Sequence, residues 1–549
     1  MGHGAELRNI DVARREQPSV AVLDRADFPG FGYLLGAPKP WQRSRWGNNP
    51  AATRDLLARL VRALPDSADW PCPLKPGVDL DDNPFIPAGY TYLMQFVAHD
   101  LVRTEMPFWQ AAAQGIGSAN LRTEGLMLDA LYGGGPPACP AAYASAPSAN
   151  SNSVGGQARL RLGRVAGHGD GPGVLRDLAP ATAGTPAADH AGRRADATVQ
   201  AADPRNDDNP MLAQLAVLFS LAHNIVADSV QPFRPEARFA YARAIMLAIY
   251  HSIIRCDLLP RLLHPAVWRA MNERNASDEQ WLWREPGLPL EFSHGAFRSG
   301  HAMVRPGYIL NDRMGMQDIG AILRQTAGTG GGARMPLTAD WIVQWSRFFT
   351  LGPAPNYSRR ISPTRSSLDF RGVVPHADAS LPDSVVFRDL LSAAAAGLWS
   401  VDAMIEAILE RAPDLVPVGW MFANPARRRS IFAQWLTKAG AATSLLSDDD
   451  IAALADDLPL PLFILLEAGL DPILRGRCLG VLGSVVVGEV IFRRLAMERD
   501  RLEMLRTAAQ TALPADVAAA AAEVDSMPGL VLFVARFGGL DACGELPFI

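Results

Sequence analysis

The sequence predicts a large, mainly α-helical single domain with few or no strands. Apolar residues recur at helical spacing over several long segments, whereas the alternation typical of strands is scarce. Hydrophobic residues make up 48% of the 549 residues and charged residues 20%, which is the composition of a globular protein. The five cysteines are far apart and odd in number, so the pattern favours reduced thiols over a disulfide framework.

The helices are predicted in order along the chain. Residues 1–85 mix short helical stretches with Pro and Gly, and we expect an irregular arm packed on the core. A first strong helix is predicted from Pro87 to Leu101. Asn209 and the proline after it are a helix-start signal, and they introduce long helices from Met211 to Val230 and from Pro235 to Leu259. Helical periods return at residues 385–410, 430–470 and 478–510.

These elements predict one catalytic domain over residues 86–510. Residues 133–205 are rich in Gly, Ala, Pro and Ser and show little periodicity, so we expect a long loop excursion within this domain. Residues 511–549 are expected to form a C-terminal extension.

Charge and hydropathy exclude several classes of partner. The net charge of −5 provides no general attraction to nucleic acid. The longest apolar stretch, Leu458 to Leu470, is shorter than a spanning helix and is interrupted by Pro459, Pro461 and Glu467. We therefore expect no transmembrane segment. The polar N-terminus lacks a secretory pattern, so we expect a cytoplasmic protein.

Two histidine segments carry candidate chemistry. On the first predicted helix, Gln95 and His99 are four residues apart and so share a face. The second histidine, His301, lies among small and apolar residues with Arg298 three positions before it. Such an imidazole can bind a metal through one nitrogen while an acceptor holds the other. Each histidine taken alone also fits a core residue with hydrogen-bond partners.

A third segment runs from Asp203 through Arg205 to Asn209 and Pro210 and continues to His223. With this segment the sequence resembles the animal-type haem peroxidases of the peroxidase-cyclooxygenase superfamily, and more closely their bacterial members. The resemblance covers roughly residues 30–500, in order. It runs through the distal helix, the Leu131-Tyr-Gly133 turn, the Arg205 segment, the His301 segment and the helix that ends near Gly397. We expect a structural role for His223, on a packed helix.

The resemblance implies a haem peroxidase-like fold and a peroxidase that acts through a ferryl intermediate. His301 resembles the proximal iron ligand, His99 the distal base, and Gln95 lies one turn earlier on the distal side. His99 would take a proton from hydrogen peroxide and return it to the departing oxygen, while Arg205 stabilises the developing negative charge. Arg298 resembles the arginine that meets a haem propionate. A small organic electron donor would be oxidised.

Departures from the family pattern bear on how the haem is held. Ala98 stands where members with ester-linked haem carry an Asp, and Asp208 replaces a second ester-forming carboxylate with a shorter side chain. We therefore expect non-covalent haem b. Asp389 stands where the family usually has an Asn beside the proximal histidine, and a carboxylate there would push His301 toward imidazolate character.

The resemblance also implies a candidate calcium site next to the distal helix. Asp100, Thr123, Gly125 and Asp129 fit the spacing of the family's oxygen ligands. Met127 does not fit, because it stands where an Asp is expected and a thioether is a poor calcium ligand.

Two alternative functions remain open. Cyclooxygenase relatives on this scaffold act as fatty-acid dioxygenases and place a tyrosine three residues before the proximal histidine, where this chain has Arg298. The other alternative is a repurposed, non-peroxidase haem protein of a biosynthetic pathway. The losses at Ala98 and Met127 keep this alternative open, whereas the presence of Gln95, His99 and Arg205 argues against a complete loss of function.

Overall fold

A computed structural model provides the structure of the protein and confirms the predicted mainly α fold. It describes residues 30–67, 80–104, 111, 119–122, 125–144, 158–169, 173–180, 194–195, 199–230, 235–274, 280–284, 286–326, 334–352, 354–364, 380–540 and 546–549. One large hydrophobic core runs through the helices of this part of the chain.

The described helices follow this order along the chain. They are α1 Pro50–Ala63, α2 Gly89–Leu101, α3 Asp129–Tyr132, α4 Pro210–Ser229, α5 Pro235–Ile253, α6 Leu259–Leu262, α7 Pro265–Asn272, α8 Leu290–Ser293, α9 Ile319–Leu323, α10 Val385–Ala396, α11 Val401–Arg411, α12 Pro425–Thr443, α13 Asp448–Asp456, α14 Leu460–Leu470, α15 Val481–Gln510, α16 Ala515–Ala522 and α17 Met527–Gly538. Turns of 3₁₀ helix lie at Arg45–Gly47, Pro140–Ala142, Pro204–Asp207, Ala296–Met303, Trp345–Arg347 and Pro413–Leu415.

The strands are short and pair only two by two in the described residues. They are β1 Phe31–Gly32, β2 Asp82–Pro87, β3 Leu162–Gly163, β4 Asp177–Leu178, β5 Arg194–Ala195, β6 Leu288–Pro289, β7 Gly307–Tyr308, β8 Gln317–Asp318, β9 Arg334–Met335 and β10 Tyr357–Arg359. β1 pairs with β6 in parallel, and the antiparallel pairs are β2 with β10, β3 with β4, β5 with β9 and β7 with β8. Among them, β2 and β10 contact α2, and β4 contacts α4.

The start of α4 follows from local chemistry. Asn209 Oδ1 accepts the Leu212 backbone N–H at 2.9 Å, and Pro210 occupies the first helical turn. The cap satisfies one of the amides that a helix N-terminus leaves unpaired. Among the described helices, α4 alone is long and apolar enough to cross a membrane, and 89% of its apolar window is buried inside the protein. It is a core helix.

Helix ends differ from the predicted ranges where the backbone changes conformation. The helical period at residues 385–410 is two helices, because Gly397 adopts the left-handed region with φ of +62° and ends α10. The predicted helix from Pro235 to Leu259 stops at Ile253 and continues as a π-helical turn, Ile254–Leu258. Neither change moves the candidate site.

Segments before and after the predicted catalytic domain pack against it. In the described part of the arm, α1 buries Leu57 and packs against α10. In the C-terminal extension, α17 buries Leu530 and packs against α4. Both segments therefore help hold the helices that carry the candidate site.

Candidate functional site

The 3₁₀ helix Ala296–Met303 holds His301 beside a buried carboxylate. His301 Nδ1 lies 2.6 Å from Asp389 Oδ2, and Arg298 Nη1 donates to Asp389 Oδ1 at 2.7 Å. Burial alone would raise the pKa of Asp389, but the charges and hydrogen bonds of His301 and Arg298 outweigh it and lower this pKa. The ionised carboxylate therefore accepts the Nδ1–H, and Nε2 is the nitrogen of His301 that can bind a metal ion.

Arg298 supports this carboxylate from a buried position. Its side chain is 2% exposed, and its Nε donates to the Ser293 carbonyl at 3.1 Å. Arg298 thereby orients Asp389, which in turn orients His301. The predicted contact of Arg298 with a haem propionate stays a prediction.

Helix α2 carries the second histidine. The His99 side chain is fully buried, and its Nε2 lies 3.7 Å from Asp208 Oδ2, which is also fully buried. Helix α2 packs against the 3₁₀ helix of His301, and at their contact a Cβ on Gly300 would lie 3.3 Å from Met94 Cε. The structure thus brings the two histidine segments into one region of the core.

Arg205 binds the end of α2. Its Nε donates to Asp203 at 3.0 Å, its Nη1 to the Val102 carbonyl at 2.7 Å, and its Nη2 to the His99 carbonyl at 2.9 Å. A second bond from Nη2 reaches Asp203 at 2.6 Å. These bonds take four of the five guanidinium N–H groups. The geometry therefore does not favour the predicted role of Arg205 as the group that stabilises negative charge on peroxide.

Arg122 and Asp203 also hold the C-terminal end of α2. Arg122 Nε donates to the His99 carbonyl at 2.8 Å, and Arg122 also pairs with Asp203. Burial would raise the pKa of Asp203, but Arg205 and Arg122 hold it well below its usual range. The sequence signal for Asp203 was its position two residues before Arg205. Arg122 had no motif to mark it.

His223 engages both ring nitrogens in structural contacts. Its Nδ1 lies 3.0 Å from the Tyr132 hydroxyl and its Nε2 lies 2.8 Å from the Ala158 carbonyl. Burial lowers the pKa of His223 to about 4. The neutral ring therefore links α4 to α3, in agreement with the structural role expected for it.

Comparison with known proteins bears directly on this geometry. Residues 157–327, which span the Arg205 segment and His301, match the model of the family Animal haem peroxidase. The chain is thus similar to animal haem peroxidases over this stretch. It is 30% identical over 114 residues to the dual oxidase of Drosophila melanogaster, and 29% over 113 residues to a peroxidase-like protein of Margaritifera margaritifera. These stretches cover 20% and 19% of this chain, and only 7% and 14% of those relatives.

Solved structures of other proteins share the fold over almost the whole chain. Peroxidase A from Dictyostelium discoideum superposes with a TM-score of 0.54 at 14% identity, covering 95% of this chain and 94% of its own. Fatty acid alpha-dioxygenase from Arabidopsis thaliana superposes with a TM-score of 0.54 at 12% identity, covering 97% and 84%. At such identities the likeness shows the fold alone.

The residues around His301 and His99 fit a haem. An imidazole whose Nδ1 is held by a carboxylate is the kind of ligand that iron prefers, and His301, whose side chain is 11% exposed, has this arrangement. Close by, Gln95 Nε2 and Ser299 Oγ are buried and have no hydrogen-bond partner among the described residues. His301 would bind the iron, and α2 would contribute His99 and Gln95. Ala98, whose side chain is a methyl group, cannot form an ester with it.

The candidate calcium site fits its metal less well. Both carboxylate oxygens of Asp100 accept backbone N–H groups, from Leu128 at 2.9 Å and from Ala130 at 3.3 Å. Burial, and next the charge of Asp129, raise the pKa of Asp100 to about 7. Asp100 therefore caps the N-terminal end of α3.

The remaining predicted calcium ligands do not complete a cage. Asp129 Oδ1 lies 3.8 Å from Arg243 Nη2, which also donates to the Met127 carbonyl at 3.3 Å. The Met127 side chain lies against Gly125, and Thr123 lies outside the described residues. Within the described ranges, no three His, Cys, Asp or Glu side chains are grouped to hold a metal ion. The Arg243 guanidinium thus lies beside Asp129 and the Met127 carbonyl, where the spacing predicts a calcium ion.

Proposed function

We propose that this chain binds haem b without a covalent link and reduces hydrogen peroxide while oxidising a small organic electron donor. The observation that carries the proposal is the contact of His301 with buried Asp389, on a segment packed against the helix that holds buried His99. A bound haem supplies the redox chemistry, and the protein supplies its axial ligand, orientation and electrostatics.

On the distal side, His99 would move the proton. Its imidazole accepts a proton from peroxide and returns it to the departing oxygen. Asp208 Oδ2 lies 3.7 Å from His99 Nε2, so a carboxyl group is close to the nitrogen at which that proton would be held. Arg205 and Arg122 both bind the His99 carbonyl, which fixes the end of α2 and with it the position of the ring.

On the proximal side, Asp389 and Arg298 act through His301. The ionised carboxylate accepts the Nδ1–H and makes His301 a stronger electron donor to a bound metal, which favours higher oxidation states. Arg298 keeps the carboxylate in place and ionised.

The test separates haem binding from peroxide chemistry. Protein expressed with haem should show a Soret band, and His301→Ala should lose it. His99→Ala should keep its haem but oxidise a phenolic donor about 10² to 10⁴ times more slowly with peroxide. His168→Gln is the control and should match the parent, because His168 is a partly exposed loop histidine whose Nδ1 lies 3.1 Å from the Ala166 carbonyl. A His99→Ala variant with the parent rate would contradict the proposal.

A fatty-acid dioxygenase is the second candidate, because the fold is shared with fatty acid alpha-dioxygenases. The position three residues before His301 argues against it, since Arg298 there is bound to Asp389. Oxygen uptake on addition of a long-chain fatty acid, without peroxide, would favour the dioxygenase. A haem-bound protein inactive in both assays would favour the repurposed haem protein.

A further inference from the structure

The cap of α4 fixes the orientation of one side-chain amide. Asn209 Oδ1 accepts the Leu212 N–H at 2.9 Å, so the Asn209 amide nitrogen must point the other way. That nitrogen, Nδ2, donates to Gln95 Oε1 at 3.1 Å. An amide nitrogen donates and does not accept. The cap therefore determines which atom of Gln95 faces Asn209.

The orientation of Gln95 follows from the same reasoning. Since Oε1 accepts from Asn209, the two N–H groups of Gln95 Nε2 are directed away from α4. Nε2 is buried and has no acceptor within the described part of the chain. Gln95 precedes His99 by one helical turn, so the two side chains share a face of α2. A buried donor without an acceptor costs free energy, and such an atom indicates a place where a ligand can supply the acceptor.

A neutral amide in this position complements the placement of Arg205. Four of the Arg205 N–H groups bind Asp203 and the carbonyls at the end of α2. Gln95 has two N–H groups with no such commitment among the described residues. The amide can therefore take the donor role that the sequence assigned to the guanidinium.

We infer that Asn209 is a positioning residue that turns the N–H groups of Gln95 toward the ligand side of the haem, where they bind a small anion or the anionic oxygen of deprotonated peroxide. The inference rests on the proposed function. Reversing the amide would present an acceptor, Oε1, to the same anion and repel it.

Substitutions at Asn209 can reverse the Gln95 amide while keeping the helix cap. Asn209→Asp and Asn209→Ser both retain an oxygen that accepts the Leu212 N–H. In Asn209→Asp the only groups facing Gln95 are acceptors, so Gln95 must turn Nε2 toward them. In Asn209→Ser the side chain is too short to orient Gln95, and no charge is added. Gln95→Leu removes the amide altogether.

Fluoride binding to the ferric haem protein, followed in the optical spectrum, is the readout. A hydrogen bond to an anion is strong enough that Gln95→Leu should weaken fluoride binding roughly 10- to 100-fold. Asn209→Asp should weaken it by a similar factor, and Asn209→Ser by less. Thermal unfolding of both Asn209 variants should stay close to that of the parent, because the cap remains.

Repeating both Asn209 substitutions in the Gln95→Leu background separates orientation from charge. Asn209→Ser should then have no effect on fluoride affinity, and the effect of Asn209→Asp should shrink by about tenfold. Equal effects in both backgrounds would show that Asn209 acts through charge or folding and would overturn the inference, as would unchanged fluoride affinity in Gln95→Leu. Absence of a Soret band in the parent would instead contradict the proposed function, and the inference with it.

Discussion

Replacing Asp389 with alanine removes the acceptor of two short hydrogen bonds, of which the bond from Arg298 is fully buried. These bonds measure 2.6 Å to His301 and 2.7 Å to Arg298, whose side chain is 2% exposed. Removing one partner of a buried ion pair leaves the other charge uncompensated and costs about 3–5 kcal/mol. We expect the free energy of unfolding of the haem-free protein to fall by about that amount. Haem affinity should fall roughly 10- to 100-fold, since His301 loses its orienting partner.

The assay is guanidinium unfolding of the haem-free protein, followed by circular dichroism. Asp389→Asn is the graded variant: its amide can accept from one of the two neighbours but not from both, so the loss should be about half as large. Asp340→Ala is the control, because the Asp340–Arg313 pair at 3.1 Å is largely exposed and such pairs contribute less than about 1 kcal/mol.

The variants can be compared only if the free energy of unfolding falls with guanidinium concentration at the same slope in each. An unchanged slope means that the same amount of surface is exposed on unfolding. If Asp389→Ala lost no more stability than Asp340→Ala, the buried cluster would not contribute to folding. The argument that Asp389 fixes His301 would then be refuted.

Three further predictions concern the haem link, pH and calcium. Acid acetone should extract the haem completely because Ala98 cannot form an ester, and a haem-bearing peptide that contains Asp208 would contradict this. Burial raises the pKa of Glu467 from 4.5 to about 8, so the folded state holds an extra proton between these values and the free energy of unfolding falls as pH rises through that window. Glu467→Gln should flatten this slope in denaturant titrations, and an unchanged slope would contradict it. Calcium should leave the melting temperature of the protein unchanged, because the Arg243 guanidinium lies beside Asp129 and both oxygens of Asp100 accept backbone N–H groups; a calcium-dependent rise would contradict this.

The sequence determined the features that depend on neighbours within a few residues. Helix α2 was predicted from Pro87 to Leu101 and forms Gly89–Leu101, because its apolar period is local. The start of α4 was predicted from Asn209 and the proline after it, since a cap involves only the next three residues. The period over residues 385–410 did not show the break at Gly397, because it continues on both sides of a single left-handed residue; only the resemblance placed a helix end there.

For the candidate site, the sequence supplied the residues and the tertiary structure decided their directions. Asp389 lies 88 positions from His301, and only the family resemblance, not spacing, connected the two. Arg205 was matched by the same resemblance, but its guanidinium turns to Asp203 and to carbonyls of α2. A motif records which side chain is present, whereas the acceptors within its reach come from elements brought together by packing.

Gln95 shows the physical reason most directly. The sequence placed its side chain on the His99 face of α2, because that depends only on the helical repeat. Which end of its amide faces that side depends on Asn209, 114 residues away, and on the cap that orients Asn209. Helical period and capping depend on residues within one or two turns of the chain. The orientation of the Gln95 amide depends instead on the partner that the packing of α2 against α4 brings next to it.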